Sequence, residues 1–231
     1  MKKFLLLVLI TFSFLGCENN ESKPKPKTPK VKEKKEKIKF YTNEEVEAEL
    51  RTVIDKKTAV EFLTEYGKEN PETKVRLKTR LGDIDILLYK DTPLHRANFI
   101  YLIKEGYYSN TQFHRVVEDF IIQAGRSDTP EAGEMRKRIG KYTIPAEFNG
   151  KRHHKGAVSA ARQWQLNPKK KSDTYEFYII INKKGAHHLN NEHTVFGRVI
   201  KGLDVVDKIG QLETFKEWPI EEVHIKAIVL E

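Results

Sequence analysis

The chain has 231 residues, 39% of them apolar, which is enough for one sizeable core with extensions, and a net charge of +9. That charge is concentrated: residues 1–39 hold eleven lysines and four acids, whereas residues 40–231 hold 31 bases and 29 acids. A nearly neutral folded part excludes a nucleic-acid groove, and a single cysteine, Cys17, excludes a disulfide framework or a cysteine-built metal site.

Lys2-Lys3 precede twelve mostly apolar residues, Phe4 to Leu15, a run too short to span a bilayer comfortably. That is the form of a secretory signal, not of a transmembrane helix. Phe14-Leu15-Gly16-Cys17 resembles a bacterial lipobox, in which the thiol is lipidated and becomes the first residue of the mature protein. It departs from the commonest form, which has leucine at the position of Phe14 and a small residue at that of Leu15. Residues 1–16 are therefore expected to be a signal peptide. Lipidated Cys17 is expected to hold the protein to the bacterial envelope, on the outer membrane facing the periplasm or at the cell surface. Residues 17–39, with Lys23-Pro24-Lys25-Pro26-Lys27 and no apolar periodicity, bury too little to offset their ordering entropy and read as a disordered tether. Its nine lysines also suit anionic headgroups.

Residues 40–72 read as a helical extension. Thr42-Asn43-Glu44-Glu45 is a helix-start pattern. Val46, Leu50, Val53, Ile54, Val60, Leu63 and Tyr66 recur at helical spacing, with a weak point at Lys56-Lys57, and Asn70-Pro71 ends the run. From residue 73 to 231 one domain is expected. Val75 to Leu81 and Ile84 to Tyr89 alternate about Gly82-Asp83, a hairpin signal. Thr92-Pro93 opens a helix with Phe99, Leu102 and Ile103 as its buried stripe, and Gly106 closes it. Phe113 to Val117 and Phe120 to Ala124 are short β-prone runs joined at Glu118-Asp119. Further strands are expected at Val158 to Ala161, Glu176 to Ile181, Val195 to Val199 and His224 to Leu230, with a helix around Leu203 to Ile209. Gly125 to Lys155 and Arg162 to Thr174 show no clear element.

The run Phe113-His114-Arg115-Val116-Val117-Glu118-Asp119-Phe120-Ile121-Ile122-Gln123 resembles the signature of the cyclophilin-type peptidyl-prolyl isomerases, here of the bacterial lipoprotein kind. The likeness continues in Gly156 to Ala161, in Glu176-Phe177-Tyr178-Ile179, and in His188-Leu189-Asn190-Asn191-Glu192-His193-Thr194-Val195-Phe196-Gly197, four blocks in order. The resemblance implies a closed eight-stranded antiparallel β-barrel capped by two helices, to which the N-terminal amphipathic helix is added. It assigns Arg115, Phe120, Gln123 and His193 to catalysis. His114, Ile121, Ala161, Arg162, Tyr178, His188 and Leu189 go to the substrate groove, and Asn98-Phe99 to a structural pair. Three departures stand out: His188 replaces a usual tryptophan, Tyr178 brings a hydroxyl where phenylalanine is common, and Glu176 stands where glutamine is usual.

An X-Pro bond turns slowly because amide resonance sets a barrier of roughly 20 kcal/mol. A catalyst must grip the proline ring, exclude water, and offer a donor that binds the twisted amide better than the planar one. Arg115 has a permanent charge and a rigid fork of donors for this. No proton is transferred, so turnover should be flat across neutral pH. His187, His188 and His193 form an H-H-x4-H cluster that lacks the helical spacing and carboxylate of a metal site, so neither metal nor cofactor is expected. Ser159 lacks a hydrolase context. Two functions stay open: an isomerase acting on proline-containing polypeptides of the envelope, and a proline-peptide binding module or holdase. A monomer is expected, with no nucleic-acid partner.

Overall fold

The computed structural model describes residues 53–230. The expected signal peptide, Cys17, the tether and the helix start at Thr42-Asn43 lie outside the described residues. The described part of the extension is helix α1, Ala59–Glu69. It begins just past the weak point at Lys56-Lys57, because Asp55 and Thr58 cap it reciprocally. Asp55 Oδ1 accepts from the backbone N–H groups of Lys57 and Thr58 at 2.7 and 2.9 Å, and Thr58 Oγ1 accepts from the Asp55 N–H at 3.2 Å.

Helix α1 packs on α2, Pro93–Lys104, through a ring triangle. The centroid of Tyr101 lies 5.0 Å from that of Phe62 and 5.2 Å from that of Tyr66. Buried Arg96 of α2 seals the joint, its guanidinium donating to the carbonyls of Gly67 at 2.8 Å and Asn70 at 2.7 Å. Those carbonyls are among the acceptors that a helix end leaves without partners. The start of α2 is not capped by the Thr92 side chain. Glu147 reaches in from a distant loop instead, accepting from the N–H groups of Leu94 and His95 at 3.0 and 2.9 Å.

The described residues hold twelve strands, in chain order β1 Lys74–Thr79, β2 Gly82–Leu88, β3 Gln112–Val117, β4 Ile121–Arg126, β5 Thr143–Ile144, β6 Ala157–Ala160, β7 Ser172–Asp173, β8 Phe177–Ile180, β9 Val195–Lys201, β10 Thr214–Phe215, β11 Trp218–Pro219 and β12 Lys226–Val229. Eight of them form one antiparallel sheet in the order β12-β1-β2-β9-β6-β8-β4-β3, while β5 pairs with β7 and β10 with β11. The expected closed barrel is corrected here: the sheet is an open half-barrel whose edges are β12 and β3. The ladder fails to close because the segment facing β3 offers only an isolated bridge, Gln112 to His224, before β12 leaves to pair with β1. The edge amides of β3 are still satisfied. Phe113 donates to the Val223 carbonyl at 3.0 Å and Val116 to the Glu217 carbonyl at 2.7 Å, which removes an exposed template for aggregation.

The helix count is corrected as well: among the described residues there are four α-helices. Besides α1 and α2 there are α3, Pro130–Ile139, in a stretch expected to lack structure, and α4, Leu203–Gly210, where a helix was predicted. Phe99 centres the core, its ring 4.7 Å from Tyr108, 5.1 Å from Phe177 and 5.3 Å from Phe196. Asn98 is structural, as expected: it donates to the Thr174 carbonyl at 2.7 Å and accepts from the Tyr142 hydroxyl at 2.7 Å.

Candidate active site

Alternation along β3, β4 and β8 decides which side chains share a face, because successive residues of a strand point to opposite sides. Arg115 pairs with Gln123 and Gln123 with Tyr178, so these three form one cross-strand row. Val117, Ile121 and Ile180 form a second row on the same face. Phe113, Ala124 and Phe177 take the other face, in the main core. The candidate site therefore lies on the face of the sheet away from Phe99.

Between Phe113 and Arg115 the register slips, leaving His114 as the unpaired residue of a β-bulge. Bulges re-aim side chains. Here the bulge lets two consecutive residues reach one polar chain. Arg115 Nη1 donates to Gln123 Oε1 at 3.2 Å, Gln123 Nε2 donates to Glu176 Oε2 at 2.6 Å, and His114 Nε2 stands 3.6 Å from the same Glu176 oxygen. Burial alone would raise the Glu176 pKa. The proximity of His114 and the hydrogen bond from Gln123 outweigh it and hold the carboxyl below its ordinary value. His114 is buried, its Nδ1 is without a hydrogen bond among the described residues, and its ring lies 5.9 Å from that of Trp218.

Beside this chain lies an apolar cluster, distinct from the main core. Ile121, Tyr178, Leu189 and Val195 are buried in it, and Phe120 and Ala161 pack at its edge. Exposed His188 stacks on Phe120 with centroids 5.5 Å apart. His193 stands edge-on to Tyr178 at 5.4 Å, and its Nδ1 donates to the Ala160 carbonyl at 3.0 Å. Burial lowers the His193 pKa, so the ring is neutral near pH 7. The extra Tyr178 hydroxyl pairs with His153 Nε2 at 3.1 Å. Arg162 is internally committed: Nε and Nη2 donate to the carbonyl and carboxylate of Glu192, both at 2.7 Å.

Two neighbours of the site were not singled out from the sequence. Exposed Trp164 stands edge-on to His193 at 5.3 Å, with the Arg162 guanidinium 4.0 Å above its own ring. Glu217, at the tip of the β10–β11 hairpin, accepts from Arg115 Nε at 2.6 Å. No short motif marks either residue, since each reaches the site through loop geometry.

His153 lies fully buried behind Tyr178, with Asn190 Oδ1 at 3.0 Å from Nδ1, and burial pushes its pKa down to about 4. In the unfolded chain it titrates near 6.5, so below that pH the unfolded state binds the extra proton and stability falls until about pH 4. Between pH 7 and pH 4.5 this one group should cost roughly 2 kcal/mol. Urea unfolding at the two pH values, for the natural chain and for His153→Gln, measures it. An equal pH dependence in both would remove His153 as the cause.

A family model described as cyclophilin type peptidyl-prolyl cis-trans isomerase/CLD matches residues 74–230. The chain is 37% identical over 147 residues to a peptidyl-prolyl cis-trans isomerase of Acinetobacter baylyi, covering 62% of this chain and 74% of that one. It is 33% identical over 201 residues to a peptidyl-prolyl cis-trans isomerase-like 2 of Rhizopus delemar, covering 82% of this chain and 36% of that longer protein. Among solved structures, a Cryptosporidium parvum cyclophilin type peptidyl-prolyl cis-trans isomerase superposes with a TM-score of 0.58 at 25% identity, over 69% of this chain and 98% of that one. A second crystal structure of that protein was obtained in the presence of the dipeptide Ala-Pro and gives a TM-score of 0.55 at 26% identity.

Proposed function

The chain belongs to the cyclophilin-type peptidyl-prolyl cis-trans isomerase family, and from that premise we propose that it turns X-Pro bonds on the Arg115 face of the half-barrel. The proline ring enters the cup of Phe120, Ile121, Tyr178 and Leu189, with His193 at its rim. In the twisted transition state the proline nitrogen regains a lone pair. Arg115 supplies the donor for it, in a pocket where water is displaced and the interaction is correspondingly stronger. Gln123 steadies the guanidinium and turns the rest of its amide to the peptide. Ala161 and His188 line the run of the substrate backbone.

The observation that carries this reading is the cross-strand hydrogen bond from Arg115 to Gln123 on the same sheet face as an apolar cluster. A guanidinium held beside an apolar, aromatic-walled cluster is an unusual thing to build for stability alone. Exchange NMR on a proline peptide tests it. Catalysed interconversion of the cis and trans signals is expected. Binding without interconversion would leave the proline-peptide module or holdase as the function.

The substrates we propose are proline-containing polypeptides of the cell envelope, met by a monomer held on the membrane through lipidated Cys17. The basic, apolar and Gly16-Cys17 order of the first residues supports this. Cys17→Ser is expected to move the protein from the detergent phase to the aqueous phase in a Triton partition. Retention in the detergent phase would end the lipid-anchor reading.

A further inference from the structure

Arg115 is held on two sides, by Gln123 on the neighbouring strand and by Glu217, 102 residues downstream in a hairpin. Phe215 pairs with Trp218, so Lys216 and Glu217 form a two-residue loop, and both sit in the left-handed region at φ +50° and +69°. Both central residues of such a turn require positive φ, which is why Asn-Gly is favoured there and why side chains like Lys and Glu are strained. The strained loop meets the Phe113-His114-Arg115 strand at three points. Glu217 Oε2 accepts from Arg115 Nε at 2.6 Å, the Glu217 carbonyl accepts from the Val116 N–H at 2.7 Å, and the Trp218 ring stands 5.9 Å from that of His114. The ion pair is 38% and 50% exposed on its two sides, a setting in which such pairs add little to stability. It does not offset the strain of its own loop, and strain kept at a contact with a reacting group points to function.

We propose that Glu217 is a positioning residue for the isomerase reaction. Its carboxylate takes Arg115 Nε while Gln123 takes Nη1, and two anchors on a planar fork fix the plane of the guanidinium. Nη2, which makes no hydrogen bond among the described residues, is then the edge presented to the proline nitrogen. This rests on the assignment of Arg115 as the donor. A guanidinium anchored at Nη1 alone swings about that bond and spends less time aligned, so the loss falls on turnover and spares binding.

The test uses the full-length protein and its Glu217→Ala, Glu217→Gln and Glu217→Gly variants. Exchange NMR gives turnover at saturating proline peptide, titration gives peptide affinity, and the Arg115 Nε–H signal reports the contact itself. Glu217→Ala should lower turnover about tenfold and change affinity less than about twofold, with faster solvent exchange at Nε–H. Glu217→Gln keeps an acceptor oxygen and should stay within about threefold of the natural chain. Glu217→Gly relieves one strained residue, so it should unfold at a higher temperature than Glu217→Ala while turning over as slowly. Turnover in Glu217→Ala at or above the natural level overturns the proposal, as does an Nε–H that exchanges as slowly as before. A natural chain that binds peptide without catalysing exchange sinks the isomerase reading itself, a different result from loss of the Glu217 effect.

Discussion

Arg115→Ala is expected to lower turnover by roughly 100-fold while peptide affinity changes by no more than about threefold. The size follows from what is removed: one preorganised charged donor aimed at charge that develops only in the transition state, a loss that typically costs 100- to 1,000-fold. The asymmetry follows from where binding comes from. In the proposed pose the proline ring is gripped by Ile121, Tyr178 and Leu189, an apolar cluster to which Arg115 does not belong, so the planar ground state should be held nearly as well without it. Arg115→Lys should recover little, because an ammonium cannot occupy the Glu217 and Gln123 anchors as a flat fork does. Exchange NMR with a peptide titration separates the two quantities. If turnover and affinity fall in the same proportion, Arg115 is a binding group and the donor role is wrong.

The site was legible in the sequence wherever it depends on residues a few positions apart, and hidden wherever it depends on pairing. Arg115 and Gln123 are eight residues apart on two strands joined by a tight turn, so their meeting could be read from alternation about Glu118-Asp119, where Asp119 indeed takes φ +52°. The slip that frees His114 toward Glu176 could not, because a bulge is a property of two strands in register and leaves no mark on one of them. The reach of Glu217 to Arg115 was hidden for a sharper reason: Lys216-Glu217 has the wrong composition for the turn it makes. Closure of the sheet is not legible in the sequence, because strand count alone does not say whether the edge strands find each other. Helix α3 had a readable start in Thr129-Pro130-Glu131, and Thr129 does accept from the Ala132 N–H at 3.4 Å. Only Ala132 and Ile139 of that helix are buried, so its apolar stripe is too thin to announce ten helical residues.

Gly125→Ala is expected to lower the unfolding free energy by about 4 kcal/mol, one of the largest losses a single methyl can cause in this chain. Gly125 lies two residues beyond Gln123 in β4, at φ +96°. A Cβ built there would stand 2.1 Å from the Tyr175 carbonyl oxygen and 3.1 Å from the Glu176 Cα. Both are backbone atoms, which cannot rotate aside as a side chain does, so the Tyr175–Glu176 segment must move. Gly106 supplies the comparison, because it has φ +77° and open space around the same hypothetical Cβ. Gly106→Ala should therefore cost only the left-handed backbone term, about 1 kcal/mol, and the difference between the two variants isolates the collision. The displaced segment carries Glu176, whose carboxylate takes the Gln123 amide at 2.6 Å. Loss of that contact frees the amide that steadies Arg115, so material that still folds should also turn over more slowly. Urea unfolding of both variants with unchanged slopes settles the first point. Equal losses in Gly106→Ala and Gly125→Ala would mean that the close approach of β4 to Tyr175 does not hold the site together.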